Sequence, residues 1–463
     1  MTQPQQLQLE SPEPEATDPA VAKVLRVVDR IFGTAEERNF DVRLWDGSIH
    51  RSAAPSRADF SLVIAKRGGL RRMLLPPSEL AVAEAYVRGD VDVEGNLESA
   101  MTLGDLIAAR IQSGRAFAAL LPLLLALPSD DLPDADELRK RGRRLKLLNP
   151  IRRSGSEEEI QFHYDVGNDF YSLWLDRRMV YTCAYFRNPD DDLETAQLAK
   201  LDHIARKLRL APGQRLLDIG CGWGALIIHA AKQYGVRCVG ITLSQAQAEL
   251  ARKRVADEGL SHLCEVRLQD YRDLPPDDRF DRIVSVGMME HVAEELQPGY
   301  FATAYNALVP GGLFLNHFIV SNVTARRKGG IRETVSRRLW RRDEFIDKYV
   351  FPDGRLVALG SPILTGERAG FETRDVESLR EHYARTLRWW LRGLDRRKSD
   401  AQRLVGERTY RIWKLYMTAA ANAFARGNLN IVQCLLSKTG PNGQSGVPLT
   451  RDDIYRAAET RAT

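Results

Sequence analysis

Cysteine is scarce in this chain: five in 463 residues, at 183, 221, 238, 264 and 434, with no C-x-x-C pair among them. That spacing excludes a disulfide framework and a zinc ribbon. It fits a reducing cytoplasm, where thiols such as Cys238 and Cys264 serve as small apolar strand residues. Long hydrophobic runs are missing too. The longest, 116–127, holds twelve residues with Pro122 inside it, against the ~20 that a membrane-spanning helix needs. The first twenty residues, MTQPQQLQLESPEPEATDPA, lack a basic-then-apolar leader and read as a polar, disordered tail. Neither charge sign dominates. Against 67 Lys and Arg stand 62 Asp and Glu, a net charge of +5, too little to call for a nucleic-acid partner. A cytoplasmic protein, at most peripheral to a membrane, is expected.

What is present is ordinary globular composition, 44% hydrophobic and 28% charged, in a chain long enough for two domains. Apolar residues at helical spacing over 21–32, strand-like runs at 42–45 and 60–64, and a helical stretch at 97–111 make a small α+β module at 21–130. The turn Asp46-Gly47 closes the first strand. Asp90, Asp92 and Glu94 alternate with Val91 and Val93, which is strand periodicity and lacks the oxygen-rich loop of a calcium site. The run 116–127 reads as a core helix broken by Pro122 or as a lipid-facing surface. A polar, then basic stretch at 131–158 reads as a linker. Basic clusters at 140–146, 337–342 and 396–398 are either solvated faces or contacts for an anionic membrane surface.

From 159 the character changes. QFHYDVGNDFYSLWLDRRMVYTCAYF, with His163, Tyr164, Asp165, Asn168 and Asp169, interleaves aromatic and polar groups too closely for core alone; a helix and loop covering a pocket are expected. Strands at 215–220, 237–242, 264–270, 279–287 and 313–320 alternate with helices at 223–234, 244–258 and 299–308. Such alternation specifies an α/β fold, a mostly parallel sheet with helices on both faces. Helical segments at 380–396 and 402–425 and a strand at 429–436 follow.

Residues 216–224, LLDIGCGWG, end a strand in a glycine turn that lets a ligand lie against the backbone. The spacing is G-x-G-x-G, not G-x-G-x-x-G, and the second strand runs into Leu243, Ser244 and Gln245 with no carboxylate. Both features argue against a nicotinamide cofactor. They suit S-adenosylmethionine, whose cationic part favours an acidic neighbour such as Asp218. Gln269-Asp270-Tyr271 ends the third strand, where adenine is bonded and stacked. Glu290 follows the fourth, and His317 stands in the fifth. A lone buried histidine is commonly core, but an acid and a base at adjacent strand ends are a candidate pair.

VYTCAYF, LLDIGCGWG, GITLSQAQ, LQDYRDL, FDRIVSVGMMEHV, LNHFIV, KYVFPDG and HYARTLRWW occur in the order seen in cyclopropane-fatty-acyl-phospholipid synthases, so that 160–440 resembles that family. LLPPSELAVAEAYVRGDVDVEGNLE looks like the accessory domain of its phospholipid-acting members. The resemblance implies a class I S-adenosylmethionine-dependent methyltransferase fold at 159–463 and a peripheral enzyme on the inner membrane leaflet, with dimerisation plausible. The methyl of S-adenosylmethionine would pass to a cis double bond of a phospholipid acyl chain, S-adenosylhomocysteine would leave, and the carbocation would lose a proton and close to cyclopropane. Water would trap that cation, so a dry site is required, and aromatics around 162–186 with Trp389 and Trp390 would wall it.

The resemblance also supplies a base, bound bicarbonate. The family's positions for it fall on Cys183, Glu290, His317, Ile319 and Tyr383, with Ile319 and partly Cys183 acting through backbone. Nothing in this chemistry asks for a Cys183 thiolate nucleophile. The cofactor positions carried over are Tyr181, Thr182, Asp218, Gly220, Gly222, Trp223, Thr242, Ser244 and Gln247, with Gln269, Asp270 and Tyr271 on the adenine side. Ala293 stands where the family has glycine, and 321–342 is long and basic. Three alternatives stay open: a fatty-acyl methyltransferase giving methylene- or methyl-branched chains, a small-molecule methyltransferase, and a lipid binder without catalysis. The last should have lost glycine-loop or bicarbonate positions, and none is lost. Chain length, double-bond position and headgroup preference are not legible.

Overall fold

The computed structural model describes residues 18–54, 58–112, 114–129, 166–322, 344–350 and 356–455. They form two compact units, divided within 130–165. The expected tail up to residue 17, the linker 131–158 and the basic clusters at 140–146 and 337–342 lie outside the described residues.

In the first unit α1 (Pro19–Phe32) starts behind Asp18, whose side chain accepts from the Ala20 N–H. Its Val21, Val24, Val28 and Ile31 stripe is buried. β1 (Asp41–Arg43) turns through Gly47, at φ +85°, into β2 (Ile49–His50). There follow β3 (Phe60–Ile64), α2 (Gly69–Leu74), α3 (Glu79–Val87), β4 (Val91–Gly95), α4 (Leu97–Gln112) and α5 (Gly114–Leu125). The sheet order is β2-β1-β3-β4, with β1 and β3 parallel.

Pro122 does not break the helix as expected. α5 runs through it, because only a short piece remains beyond, and the Ala126 N–H still reaches the Pro122 carbonyl at 3.1 Å. Leu120 and Leu124 are buried, while Leu121 and Leu125 are exposed at 37% and 56%.

The acidic alternation around β4 is already matched by cations. Buried Asp90 meets Lys66 at 2.9 Å, Arg88 at 2.9 Å and Arg72 at 3.1 Å, and Glu94 bonds Arg43. Asp90 is buried while Lys66 and Arg88 stay part-exposed, so Asp90→Ala loses charged hydrogen bonds without burying the cations and is expected to destabilise this unit by about 2 kcal/mol. A chemical denaturation midpoint unmoved from wild type would contradict it.

The second unit opens with α6 (Asn168–Ser172) and α7 (Leu193–Lys207), followed by β5 (Arg215–Ile219), α8 (Ala225–Tyr234), β6 (Arg237–Thr242), α9 (Gln245–Asp257), β7 (Cys264–Leu268), β8 (Phe280–Val286), α10 (Gln297–Ala307) and β9 (Leu308–Ser321). Then come α11 (Glu344–Tyr349), α12 (Gly360–Arg368), β10 (Glu372–Ser378), α13 (Arg380–Arg396), α14 (Lys398–Ala425), β11 (Leu429–Ser437) and α15 (Asp452–Tyr455).

One seven-stranded sheet, β10-β11-β9-β8-β5-β6-β7, holds this unit together. β5 to β9 pair in parallel, and β11 is antiparallel to both its neighbours. The central strands are buried on both faces, as a sheet covered by helices must be. Leu216 points to one core, and Leu217 and Ile219 to the other. The expected strands and helices are all present. β9 begins earlier than expected, and α7, α11, α12, β10 and α15 were not anticipated.

Candidate active site

The strand order reverses between β5 and β8, and at such a switch point the loops beyond the strand ends diverge and leave a crevice. Here it is a cavity lined by the residues that follow β5, β6, β7 and β8. Two glycines make room for it. Gly220, at φ +84°, would place a Cβ 3.2 Å from Met288, and Gly287, at φ +70°, would place one 3.0 Å from Thr182. A side chain at either position would meet both backbone strain and a neighbour.

Tyr181, Thr182, Asp218, Gly220, Gly222 and Trp223 line the cavity, and so do Thr242, Gln247, Gln269, Asp270 and Tyr271. Ser244 is not on its wall. Its hydroxyl caps α9, accepting from the Gln247 N–H at 3.3 Å, and Gln247 in turn bonds the Thr242 hydroxyl at 2.8 Å. Asn168 acts from outside, taking the Trp223 indole N–H at 2.8 Å. His163, Tyr164 and Asp165 lie outside the described residues. Beyond the end of β7, burial favours the neutral acid of Asp270, but the Arg272 guanidinium overrides it and holds the carboxyl below its ordinary range. Tyr271 stands edge-on to Tyr300, 5.4 Å between rings.

A residue that sequence reasoning did not single out reaches the cavity floor. Lys200, only 2% exposed, donates to the Thr182 hydroxyl at 2.8 Å. Burial pushes its ammonium down to about 8, opposed by Asp176, Cys183 and Asp218. Burial pushes the Asp218 carboxyl up to about 7, opposed by Lys200. Both Lys200 and Asp218 line the cavity, and each feels the other's charge.

The five positions expected around a small anion do not line this cavity; they lie deeper, in two linked groups. Past Val286 the β8–β9 ladder ends with Gly287 donating to the His317 carbonyl at 2.8 Å, and the chain turns away. Beyond that point the Ile319 N–H has no strand partner, and Glu290, in the 3₁₀ turn Met289–His291, accepts it at 2.8 Å. Burial raises the Glu290 carboxyl to about 7 despite that bond. His317, two residues before Ile319, is fully buried, and burial with the nearby Lys200 and Lys207 charges drives it neutral. Glu290 Oε2 and His317 Nε2 are both buried without a hydrogen-bond partner among the described residues.

The second group meets at the Leu379 carbonyl, which accepts from the Tyr383 N–H at 3.0 Å and lies 3.8 Å from Cys183 Sγ. The Leu379 N–H bonds the Ile431 carbonyl, and Ile431 faces Ile319 across the sheet. Burial raises the Cys183 thiol far out of the physiological range, so it stays protonated, unlike a thiolate nucleophile.

Aromatic rings run from the cavity wall to Tyr383. Tyr171 touches Trp223 at 5.1 Å, Tyr181 touches Trp390 at 5.2 Å, and Trp390 touches Tyr383 at 5.9 Å. Tyr416, also not singled out from sequence, bonds Tyr181 and feels the Glu290 charge. Trp389 stands apart from this cluster, under the Arg392 guanidinium. Ala293, where glycine was expected, has φ −53°, a conformation that needs no glycine.

The sequence profile of mycolic acid cyclopropane synthetase matches residues 152–434, and one described as a domain of unknown function matches 27–117. A probable fatty acid methyltransferase of Pseudomonas putida is 40% identical over 90% of this chain and 96% of its own length. The cyclopropane-fatty-acyl-phospholipid synthase of Escherichia coli K12 is 39% identical over 66% of this chain and 74% of its own. The structure of the cyclopropane synthase MmaA2 from Mycobacterium tuberculosis superposes with a TM-score of 0.56 at 34% identity, covering 62% of this chain and 99% of that one. The mycolic acid cyclopropane synthase CmaA1, complexed with SAH and CTAB, gives 0.56 at 35%, covering 63% and 99%. The chain belongs to the mycolic acid cyclopropane synthetase family and is an S-adenosylmethionine-dependent methyltransferase.

Proposed function

We propose that this enzyme converts a cis double bond of a phospholipid acyl chain into a cyclopropane. Bound S-adenosylmethionine would supply the electrophilic methyl, and bound bicarbonate the base for the proton whose loss closes the ring. The observation that carries the reading is the buried pair without partners, Glu290 Oε2 and His317 Nε2, set beside a wall of aromatic rings. Buried polar atoms normally find partners, and these two suit the oxygens of a small oxyanion.

The chain's own residues divide the work. Lys200 and Asp218 face the carboxylate and ammonium of the cofactor's amino-acid end, and Thr182 is held there by Lys200. Gly220 and Gly222 let the ligand lie against the backbone. Thr242, Gln247, Gln269, Asp270 and Tyr271 take the nucleoside side. Ile319 acts through its N–H by orienting Glu290, which with His317 and the Tyr383 hydroxyl would hold the anion, while Cys183 contributes from its backbone. Tyr181, Trp390 and Tyr383 exclude water and turn π faces toward a developing cation.

Among the described residues no helix is long and apolar enough to cross a membrane. Substrate would be met from the surface, by exposed Leu121 and Leu125 of α5 and by basic residues such as Lys398, the first unit serving as an accessory lipid-binding domain. A second reading, methylene- or methyl-branched products from the same cation, is favoured by the relative named as a probable fatty acid methyltransferase.

Expression in a bacterium lacking such an enzyme decides between them. Phospholipid fatty acids should gain one CH₂ by mass and show upfield ring signals by carbon NMR. The same gain with vinylidene or branched-methyl signals would establish the second reading, and no gain would remove both.

A further inference from the structure

β11 lies antiparallel to β9 with Gln433 directly opposite His317, and both side chains are fully buried. Gln433 Nε2 stands 3.4 Å from His317 Nδ1. The neighbouring carboxylate is already paired. Glu377, opposite Gln433 on β10, meets His203 Nε2 at 2.7 Å and Lys207 Nζ at 2.5 Å. Burial opposes its charge, but those two partners hold its carboxyl down to about 2. Glu377 is therefore a fixed carboxylate committed to α7, and the contact at Nδ1 is left to the Gln433 carboxamide.

A neutral imidazole carries one proton, and the partner at one nitrogen determines which nitrogen holds it. We propose that Gln433 is a positioning residue: its carboxamide N–H donates to His317 Nδ1, which keeps the imidazole proton on Nε2 and aims that N–H at an oxygen of the bound anion. The inference rests on the proposed bicarbonate site and adds to it the residue that makes His317 a donor there. The opposite tautomer would turn a lone pair toward the anion and repel it. Gln433 itself touches neither anion nor cofactor.

The full-length protein, labelled with nitrogen-15 histidine, reports the tautomer through the shifts of its two ring nitrogens, His317 being identified by its loss in His317→Gln. Wild type should show His317 protonated at Nε2. In Gln433→Met that preference should disappear, the bicarbonate KM should rise at least tenfold, and affinity for S-adenosylhomocysteine should stay within twofold. A merely structural role for Gln433 would move stability without moving the tautomer. Wild-type His317 protonated at Nδ1, or a tautomer unchanged in Gln433→Met, overturns the proposal without any reliance on the variant's activity. If instead turnover proves independent of bicarbonate in carbonate-depleted buffer, the bicarbonate reading falls while the tautomer still decides the role of Gln433.

Discussion

Glu290→Ala should lower turnover by roughly 10²- to 10³-fold, the loss expected when one preorganised polar group of a dry active site is removed, and should leave S-adenosylhomocysteine binding within twofold. The side chain accepts the Ile319 N–H at 2.8 Å with one oxygen and has the other free for a ligand. Alanine would strand that N–H and delete the proposed anion anchor, while the proposed cofactor cavity is walled by other residues.

The pH dependence is more diagnostic than the loss. Burial raises the Glu290 carboxyl to about 7, so below pH 7 it is neutral and can share its proton with an anion. Above pH 7 it ionises, and two negative charges would sit together in a dry pocket. The bicarbonate KM should therefore climb above pH 7 by about tenfold per pH unit, since one unit is about 1.4 kcal/mol. In Glu290→Gln, a neutral mimic of the protonated acid, the KM should be flat across that range. The same shift acts on stability. The folded state keeps a proton that the unfolded chain gives up near 4.5, so this stabilisation is complete below about 4.5 and lost as pH rises through about 7. A thermal scan in which Glu290→Gln falls as steeply as wild type between those values would refute the assignment.

What the sequence made legible, and what it hid, have one physical cause. Strands buried on both faces announce themselves as apolar runs, and β5, β6 and β8 were readable for that reason. The loops at their ends carry glycines whose positive φ no other residue takes cheaply. α7 was hidden because polar and charged residues share its inward face with Leu193, Ala196, Leu201 and Ile204. Gln197, Lys200, His203 and Lys207 recur at three- and four-residue spacing, and all are buried. Gln197 donates to the carbonyls of Val180 and Thr182, Lys200 reaches the Thr182 hydroxyl, and His203 and Lys207 reach Glu377. A polar stripe at helical spacing, just before a glycine-loop strand, was the available signal. β10, ETRDVES, escaped notice for a related reason: it is an edge strand, and such strands carry charge. Glu290 and Ile319 were placed by family resemblance. Only the fold shows why they meet, since β8 stops two residues short of pairing with Ile319.

Lys200 then makes the second large prediction. Its ammonium sits on the cavity floor, 2% exposed, and feels the Asp218 carboxyl, which burial has raised to about 7. An amino-acid zwitterion brings a carboxylate to the first and an ammonium to the second, and each charge is then paired where water is excluded. A hydrogen bond to a charged group contributes about 1.5–3 kcal/mol, so Lys200→Met should weaken S-adenosylhomocysteine binding by about 10- to 100-fold. Methylthioadenosine keeps the nucleoside and the sulfur but lacks the amino acid. Its affinity, measured by calorimetry on the same proteins, should change less than threefold. Lys200→Arg keeps the charge and should restore part of the loss. An equal loss for both ligands would mean that Lys200 only props up Thr182. Losses confined to the amino-acid ligand would mean that the helix hidden from sequence carries the charge that tells S-adenosylmethionine from a bare nucleoside.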